Sequence, residues 1–226
     1  MSPSTSTSTT TTTALEALAA AGAATVYEAR GRQGLVDVDL IQLTPGSRVA
    51  GPARTVLCAQ DDNRGVHELC AHIRPGDIAV LAMPEARPIA LIGDLLVTQL
   101  QVAGAAGILC DASVRDVDEL RTIGIPIWTR WIRAHGAGKS TRGAVDAPVE
   151  IGGTTIRPGD IVVLDADGAA VVPAEAADEA VALVRAREEK EAGLRERWRA
   201  GEQSYDAYGF RAEDEGGFRA EDEGTP

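Results

Sequence analysis

The sequence has few of the residues that most often carry out redox or metal chemistry. Its 226 residues include three histidines and three cysteines. Cys58, Cys70 and Cys110 are odd in number and widely spaced, so they predict neither a metal or redox pair nor a disulfide framework. Lys and Arg number 22 against 34 Asp and Glu, which gives a net charge of −12. Because phosphate binding needs clustered Lys and Arg, this balance argues against nucleic acid as the main partner.

Long apolar runs and targeting segments are also missing. No stretch of about 18 apolar residues occurs, so we predict no membrane span. The start, "MSPSTSTSTTTTTALEALAAAG", lacks a basic segment and a true apolar core, and it is a poor secretory signal. We therefore expect a cytoplasmic protein with reduced thiols. Aromatic residues make up only 4% of the chain, so Val, Ile, Leu and Ala must build the core, which suits helices packed on a sheet.

Composition divides the chain into four parts. Residues 1–13 are almost all Ser and Thr and are expected to form a disordered tail. Residues 14–173 have the patterns of one α/β domain, in which a first helix runs from about Ala14 to Gly22. Residues 174–208 form a C-terminal helix and extension after Pro173, with a later half that is solvated or packs on a partner. In residues 209–226 the segment "GFRAEDEG" occurs twice, which we interpret as a duplication without a role.

Strand and helix patterns alternate through the central part of the chain. The segments "IRPGDIAVL" and "IRPGDIVVL", 83 positions apart, each predict a turn followed by a strand. The series "LLVTQLQVAGA", "AGILCD", "VDELRTIG" and "IPIWTR" predicts helix, strand, helix and strand, with parallel strands. "DIVVLDADGAAVVP" predicts a hairpin with Asp-Gly at its turn. Further segments predict a short helix in "ATVYEARGRQG", a strand over residues 48–60 with a Gly-Pro break, and a helix over residues 63–73.

Two polar pairs enclose the central helix and strand. Gly93-Asp94 begins the helix, and Arg115-Asp116 follows the strand, with 20 residues between Asp94 and Arg115. The first turn of a helix has free backbone N–H groups and the positive end of the helix dipole, and Gly93 allows a small anion to approach. Arg115 can bind a carboxylate through two hydrogen bonds, and Asp116 is a hard oxygen ligand for Mg²⁺ or Mn²⁺. These residues predict a site for a small α-keto acid that chelates a divalent metal.

The same residues also fit a purely structural interpretation. Ser113 would be the N-cap of the following helix and Asp116 would lie in its first turn. Asp94 would likewise be a plain N-cap. Spacing alone leaves both interpretations open.

The segment "GDLLVTQLQVAGAAGILCDASVRDVDEL" resembles the signature of the RraA-like family, whose class II pyruvate aldolases have an Asp, 20 residues and then Arg-Asp, as this sequence has. Similar segments extend over residues 14–212, among them "ATVYEARGR", "DNRGVHE", "GIPIWTR" and "GKSTRGAVDAPVEIGG". The resemblance implies an α/β fold, a swivelling β/β/α domain, assembled as homotrimers or homohexamers with sites between subunits. It further implies metal-dependent cleavage of a 4-hydroxy-2-oxo acid, with oxaloacetate decarboxylation as a side activity.

The resemblance also implies roles for single residues. Asp116 would bind the divalent metal, Mg²⁺ or Mn²⁺, and Asp94 would act through metal-bound water and assist proton transfer. Arg115 would hold the pyruvyl carboxylate. The backbone N–H groups that would bind substrate belong to Gly93, Asp94, Leu95 and Leu96.

Other residues are candidates with open alternatives. Asn63 would line the site by resemblance, or cap a helix. Lys139 lies in the Gly-rich loop "GAGKSTRG", which lacks the P-loop spacing, and would contact a distal carboxylate or remain solvated. The roles of Glu28, His67 and Glu119 are left open. Glu28 would reach the site of a neighbouring subunit, and His67 would either line the site or only pack against other residues. Glu119 would contact the metal ligands rather than the metal itself.

Two functions of different classes follow. The first is a lyase that releases pyruvate from an oxo acid such as 4-carboxy-4-hydroxy-2-oxoadipate or 4-hydroxy-4-methyl-2-oxoglutarate. The second is a non-catalytic regulator that binds and inhibits a ribonuclease, as the family's namesake does, which an acidic surface would suit. The complete set of Asp94, Arg115 and Asp116 favours the lyase, because a pure binding protein has no need of it.

Overall fold

The computed structural model describes residues 6–212, with side chains from residue 13 onwards. Its helices are α1 (Ser6–Ala21), α2 (Ala23–Ala29), α3 (Arg64–Leu69), α4 (Asp94–Val102), α5 (Val117–Ile123), α6 (Ala177–Arg199) and α7 (Ser204–Ala207), and a 3-10 turn, Ala174–Ala176, precedes α6. The strands of the described residues are β1 (Ile41–Gln42), β2 (Val49–Leu57), β3 (Ile78–Ala82), β4 (Ala90–Ile92), β5 (Gly107–Val114), β6 (Ile127–Ile132), β7 (Ala144–Val145), β8 (Val149–Ile151), β9 (Thr154–Ile156), β10 (Ile161–Asp165) and β11 (Gly168–Val172). The predicted α/β class with a C-terminal helix is confirmed.

Nine of the described strands form one mixed sheet, in the order β1-β6-β5-β3-β2-β10-β11, with β4 added to β5 and β7 added to β2. The pairs β2–β3, β3–β5, β4–β5 and β5–β6 are parallel, whereas β10 is antiparallel to both of its neighbours. The remaining strands, β8 and β9, form a separate hairpin. The predicted parallel strand-helix-strand unit and the predicted Asp-Gly hairpin are both confirmed.

Strand β2 is continuous, and the predicted break at Gly51-Pro52 is wrong. Up to Pro52 the strand pairs with β10, and from Ala53 it pairs with β3. The Gly-Pro pair therefore marks a change of partner within one strand. Glycine is required at position 51, because a Cβ there would lie 2.3 Å from the carbonyl oxygen of Gly76.

The two similar turn-strand segments fold alike, as predicted. The Asp77 carboxylate accepts the Arg74 N–H at 2.9 Å before β3. The Asp160 carboxylate accepts the Arg157 N–H at 2.8 Å before β10. In each case the Asp of Pro-Gly-Asp closes the turn that leads into a buried strand.

Apolar side chains cover both faces of the sheet. Strand β5 is buried along its whole length. Its residues Ile108 and Cys110 pack with the helices α3, α4 and α5, whereas Leu109 packs with the β8–β9 hairpin and with β10 and β11. The first of these clusters lies beneath α4 and α5, and it therefore fixes the two helices whose first turns carry the candidate residues.

The N-terminal helix is longer than predicted. Helix α1 begins at Ser6 rather than near Ala14, so residues 6–13 are helical where we expected disorder. A helix that has formed its first turn extends at little further cost. The C-terminal part of α1 is anchored by Leu18, which is fully buried against the strands of the β10–β11 hairpin, and the helix extends from there towards Ser6. Residues 1–5 of the predicted tail lie outside the described residues.

The chain separates into two units, residues up to 184 and residues from 185. In the first unit the start of α6 packs its Ala180, Val181 and Val184 into the core. In the second unit the rest of α6 is charged and largely exposed, as expected for a solvated helix. Most of the tandem "GFRAEDEG" segment, residues 213–226, lies outside the described residues. No helix among residues 6–212 is long and apolar enough to cross a membrane.

Candidate functional site

Two strand-to-helix turns meet at the carboxyl ends of β4 and β5. Ile92 ends β4 opposite Val114 at the end of β5, and the Arg115 N–H donates to the Ile92 carbonyl at 3.1 Å. Gly93 is the N-cap of α4 and Asp116 is the N-cap of α5. Because parallel strands end at the same edge of a sheet, the two polar pairs lie side by side.

The Asp116 carboxylate lies between these turns. Its Oδ2 accepts the Asp94 backbone N–H at 3.3 Å and is 3.5 Å from Arg115 Nε. The backbone of Asp116 is left-handed, with φ 60° and ψ 43°. Such a conformation is uncommon for residues other than glycine, although aspartate adopts it more readily than most; among the described residues Arg32, Asp61 and Asp146 also have a positive φ.

The structural interpretation of these residues is wrong. Ser113 lies within β5 rather than at a helix N-terminus. Asp94 is the first residue of α4 rather than its N-cap, and Asp116 makes no side-chain capping bond to α5. Neither carboxylate therefore caps its own helix, although Asp116 Oδ2 accepts the first N–H of the neighbouring helix α4.

The absence of a side chain at Gly93 makes room for the neighbouring turn. A Cβ at this position would lie 2.2 Å from Asp116 Oδ2 and 3.2 Å from Arg115 Nε. We expected Gly93 to allow a ligand to approach, and the structure adds that it lets Asp116 and Arg115 approach the first turn of α4. Gly136 has a similar role at the other end of the arginine, since a Cβ there would lie 2.7 Å from Arg115 Nη1.

A cavity of about 240 Å³ opens at these turns. The residues that line it are Asn63, His67, Ala90, Leu91, Ile92, Gly93, Asp94, Leu95, Leu96, Arg115, Gly136, Ala137 and Lys139. Every residue that we predicted for substrate binding belongs to this lining, and so the fold brings them together. Asp116 is not in the lining and reaches the site through its contacts with Asp94 and Arg115.

Asn63 lines this cavity and carries an unpaired polar atom. The residue is 6% exposed, and its Nδ2 donates to the Leu91 carbonyl at 2.8 Å. Its Oδ1 is buried and has no hydrogen-bond partner among the described residues. Asn63 occupies the N-cap position of α3 but makes no side-chain capping bond, so the capping alternative is wrong. A buried acceptor without a partner needs an explanation, and a ligand donor would provide one.

Several lining residues were missed in the sequence. Strand β4 is only three residues long and has no periodicity that predicts it. Gly136 and Ala137 belong to the Gly-rich loop from which we selected only Lys139. His67 was not missed: the resemblance of the segment "DNRGVHE" made it a candidate whose role was left open, and it lies in the lining one helical turn after Asn63.

The remaining candidates lie away from the lining. Glu28 forms an ion pair with Arg32 within α2. Glu119 is exposed on α5 and lines a shallow groove that it shares with Asp94. Neither residue lines the cavity in this chain.

The cysteine thiols are buried and poorly suited to be nucleophiles. Burial raises the pKa of Cys58 to about 12 and that of Cys70 to about 11. Burial also raises the pKa of Cys110, which is fully enclosed in β5. Because the thiolate is the reactive form, these thiols are inert at neutral pH.

The oxygen donors at the site suit a hard divalent ion. No group of three or more His, Cys, Asp or Glu side chains in the described part of the chain could hold a metal. Mg²⁺ commonly binds through only one or two carboxylates and keeps several waters. Asp116, 35% exposed and held beside the cavity, together with Asp94 in the lining, fits such a site.

Comparisons with known proteins identify the family of this chain. The RraA-like family model, described as Aldolase/RraA, matches residues 13–171. A protein of Halalkalibacterium halodurans named "Putative 4-hydroxy-4-methyl-2-oxoglutarate aldolase" is 34% identical over 131 residues, 58% of this chain and 62% of that protein. The match thus spans less than two thirds of that relative's length.

Solved structures show the same fold. Streptomyces coelicolor RraAS2, described as an unusual member of the RNase ES inhibitor RraA protein family, is 32% identical with a TM-score of 0.71, over 80% of this chain and 95% of that chain. An uncharacterised protein from Pseudomonas syringae pv. tomato is 26% identical with a TM-score of 0.76, over 87% and 93%. The chain therefore belongs to the RraA-like family.

Proposed function

We propose that this protein is a divalent-metal-dependent aldolase that cleaves a 4-hydroxy-2-oxo acid and releases pyruvate. The substrate would be a multiply charged acid such as 4-hydroxy-4-methyl-2-oxoglutarate or 4-carboxy-4-hydroxy-2-oxoadipate. The observation that carries the proposal is the contact of Asp116 with Arg115 and with the first turn of α4, beside one cavity. The RraA-like family and the name of the Halalkalibacterium halodurans relative support it.

Arg115 and the start of α4 would bind the pyruvyl end of the substrate. The first N–H groups of a helix have no partners within the helix and lie at the positive end of its dipole. The first residues of α4 line the cavity next to the Arg115 side chain, which is 47% exposed. A planar guanidinium can hold a carboxylate through two parallel hydrogen bonds.

Asp116 would hold Mg²⁺ or Mn²⁺ and Asp94 would lie close to it. Lewis-acid polarisation of the substrate's keto oxygen is the chemistry that the divalent ion supplies when bound. Asp94, in the cavity lining, would assist removal of the proton from the C4 hydroxyl. The C3–C4 bond then breaks, its electron pair forms the enolate of pyruvate, and protonation at C3 gives pyruvate. Arg115 would stabilise the negative charge that develops on the oxygen. The same enolate chemistry would permit oxaloacetate decarboxylation.

The rest of the lining would bind the far end of the substrate. Among the described residues of the lining, three are basic, His67, Arg115 and Lys139, and one is acidic, Asp94. This balance favours an anion with more than one carboxylate. The unpaired Asn63 Oδ1 would accept a hydrogen bond from a substrate hydroxyl, and Lys139 would contact a distal carboxylate.

A second candidate is a regulator that binds a ribonuclease. It is supported by the description of the Streptomyces coelicolor structure and by the net charge of −12. The cavity and its clustered charges favour the aldolase, because protein binding does not need a cavity whose lining includes a residue with a buried, unpaired acceptor.

The test is pyruvate release measured with a lactate dehydrogenase assay. The purified protein is treated with chelator and assayed on both oxo acids and on oxaloacetate, before and after addition of Mg²⁺ or Mn²⁺. We expect activity only with metal, and its loss in Asp116→Ala but not in Asp118→Ala, whose side chain is 94% exposed. Full turnover after exhaustive chelation would reject the metal, and no pyruvate under any condition would reject the aldolase.

A further inference from the structure

One side of the cavity is a loop, residues 136–143, that is fixed to the start of α3. Gly136, Ala137 and Lys139 of this loop line the cavity. Its Gly138 carbonyl accepts the Asn63 N–H at 2.8 Å, and the Gly138 N–H donates to the Asp61 carbonyl at 2.8 Å. The loop and the residues before α3 therefore form one continuous wall.

The Asp62 carboxylate joins the two parts of this wall. Asp62 is 4% exposed and accepts four hydrogen bonds from the described residues. They come from the N–H of Arg64 at 2.9 Å, the N–H of Ser140 at 2.7 Å, the N–H of Thr141 at 3.1 Å and the Ser140 hydroxyl at 3.1 Å. One donor belongs to α3 and three belong to the loop.

These hydrogen bonds keep Asp62 charged. Burial alone would raise its pKa, but the N–H groups of Arg64, Ser140 and Thr141 and the Ser140 hydroxyl outweigh burial and lower the pKa below its usual value. A buried carboxylate that is satisfied by several N–H donors is a strong and directional anchor.

Close backbone packing leaves the loop little freedom. A Cβ at Gly138 would lie 3.0 Å from Asp62 Oδ2. A Cβ at Gly65 would lie 3.0 Å from the Gly143 Cα, and one at Gly143 would lie 2.9 Å from the Gly65 Cα. Asp62 and the Gly65–Gly143 contact together fix the loop, and with it Lys139, against α3.

We propose that Asp62 is a positioning residue for substrate selection. It holds the loop so that Lys139 faces a second carboxylate of the substrate, and it thereby favours oxo acids with two or more carboxylates over those with only the pyruvyl carboxylate. The inference rests on the proposed aldolase function. Asp62 itself does not line the cavity, so it acts through the loop and not on the reacting atoms.

The perturbation is Asp62→Asn, which keeps the shape of the side chain. An amide has one acceptor oxygen, and its NH₂ group would face at least one of the N–H donors that the carboxylate now satisfies. The loop should therefore loosen without a change in any lining residue. We compare kcat/KM for 4-carboxy-4-hydroxy-2-oxoadipate with kcat/KM for 4-hydroxy-2-oxopentanoate, which has a single carboxylate.

We expect the ratio of these two values to fall by roughly ten- to a hundredfold in Asp62→Asn, mostly through KM, as for the loss of hydrogen bonds to a charged group. Lys139→Ala should lower the same ratio, and adding Asp62→Asn to it should lower the ratio little further, because both changes act on one contact. The matched control is Asp160→Asn. Asp160 is also buried and accepts the Arg157 N–H, but it lies in the turn before β10 and should leave the ratio unchanged.

The outcomes separate this inference from the proposed function. A wild-type protein that cleaves both oxo acids, with an unchanged ratio in Asp62→Asn, overturns the role of Asp62 alone. The role of Asp62 is also overturned if Asp62→Asn lowers the ratio equally in the wild-type protein and in Lys139→Ala. An inactive wild-type protein overturns both proposals.

If Asp62→Asn does not fold, Ser140→Ala removes one of the four hydrogen bonds. It must then lower the ratio by itself, by about two- to threefold, and an unchanged ratio overturns the proposal.

Discussion

An alanine at position 93 would insert a methyl group between the two turns that form the site. Its Cβ would lie 2.2 Å from Asp116 Oδ2, and real Cβ atoms essentially never approach a neighbour closer than 3.0 Å. The carboxylate must therefore retreat by at least 0.8 Å, the difference between the two distances. The φ of Gly93 is −142°, which any residue adopts, so Gly93→Ala tests this contact and not backbone strain.

The retreat should weaken catalysis far more than folding. A misplacement of about 1 Å at a reacting centre lowers rates by roughly 10²-fold, and we expect kcat/KM for pyruvate release to fall by about that factor. The concentration of Mg²⁺ for half-maximal activity should rise, because Asp116 is the proposed ligand. Asp116 is 35% exposed and can move towards solvent, so the free energy of unfolding should change by only about 1 kcal/mol. Thermal unfolding followed by circular dichroism measures that change.

Gly193→Ala is the matched control for this experiment. Gly193 lies within α6, and a Cβ there would meet no atom within 4 Å. The control should keep wild-type kcat/KM and gain about 0.5–1 kcal/mol in the free energy of unfolding, since alanine favours the helix. If Gly93→Ala also kept wild-type kcat/KM on every oxo acid that the parent cleaves, the position of Asp116 would not matter and the proposed site would be refuted.

Three further outcomes are expected, two from the structure and one, the oligomer, from the family resemblance alone. Arg115→Lys should lower kcat/KM by about 10²–10³-fold, because lysine lacks the planar fork of the guanidinium. The control Arg121→Lys, on the exposed face of α5, should keep wild-type kcat/KM. If both variants had the same kcat/KM, Arg115 would not belong to the site. Cys58, Cys70 and Cys110 should resist iodoacetamide at pH 7.5 and react only after unfolding, as mass spectrometry would detect, and labelling of the native protein would contradict their burial. Light scattering should give three or six times the chain mass of 23.6 kDa, and a fully active monomer would contradict the expected oligomer.

The sequence predicted the elements whose patterns are local. Helices α4 and α5 and strands β5 and β6 each have an apolar period or run of their own, and the Pro-Gly-Asp turns and the Asp-Gly hairpin are short-range signals. Gly93-Asp94 and Arg115-Asp116 lie at the ends of two of these elements, α4 and β5, but their proximity depends on the pairing of β4 with β5.

The rest of the site depends on pairing between distant segments. Strand β4 exists because Ala90–Ile92 adds to β5, and nothing within those three residues predicts it. The loop that carries Lys139 is held by Asp62, 78 positions from Ser140. Gly51-Pro52 indicated a break, although the strand only changes its partner there. Such contacts are determined by tertiary packing, which no local pattern contains.

The backbone at Asp116 gives a further reason to favour catalysis over simple binding at this cavity. A left-handed conformation is unfavourable for most residues with a side chain, although aspartate tolerates it better than most, and Gly93 leaves open the space that the Asp116 carboxylate occupies. Both departures serve one result, a carboxylate held beside Arg115 and the first turn of α4. A surface that only bound another protein would need acidic charge, but it would not need this placement. The left-handed turn at Asp116 and the turn without a side chain at Gly93 thus meet at the same oxygen atom, Asp116 Oδ2.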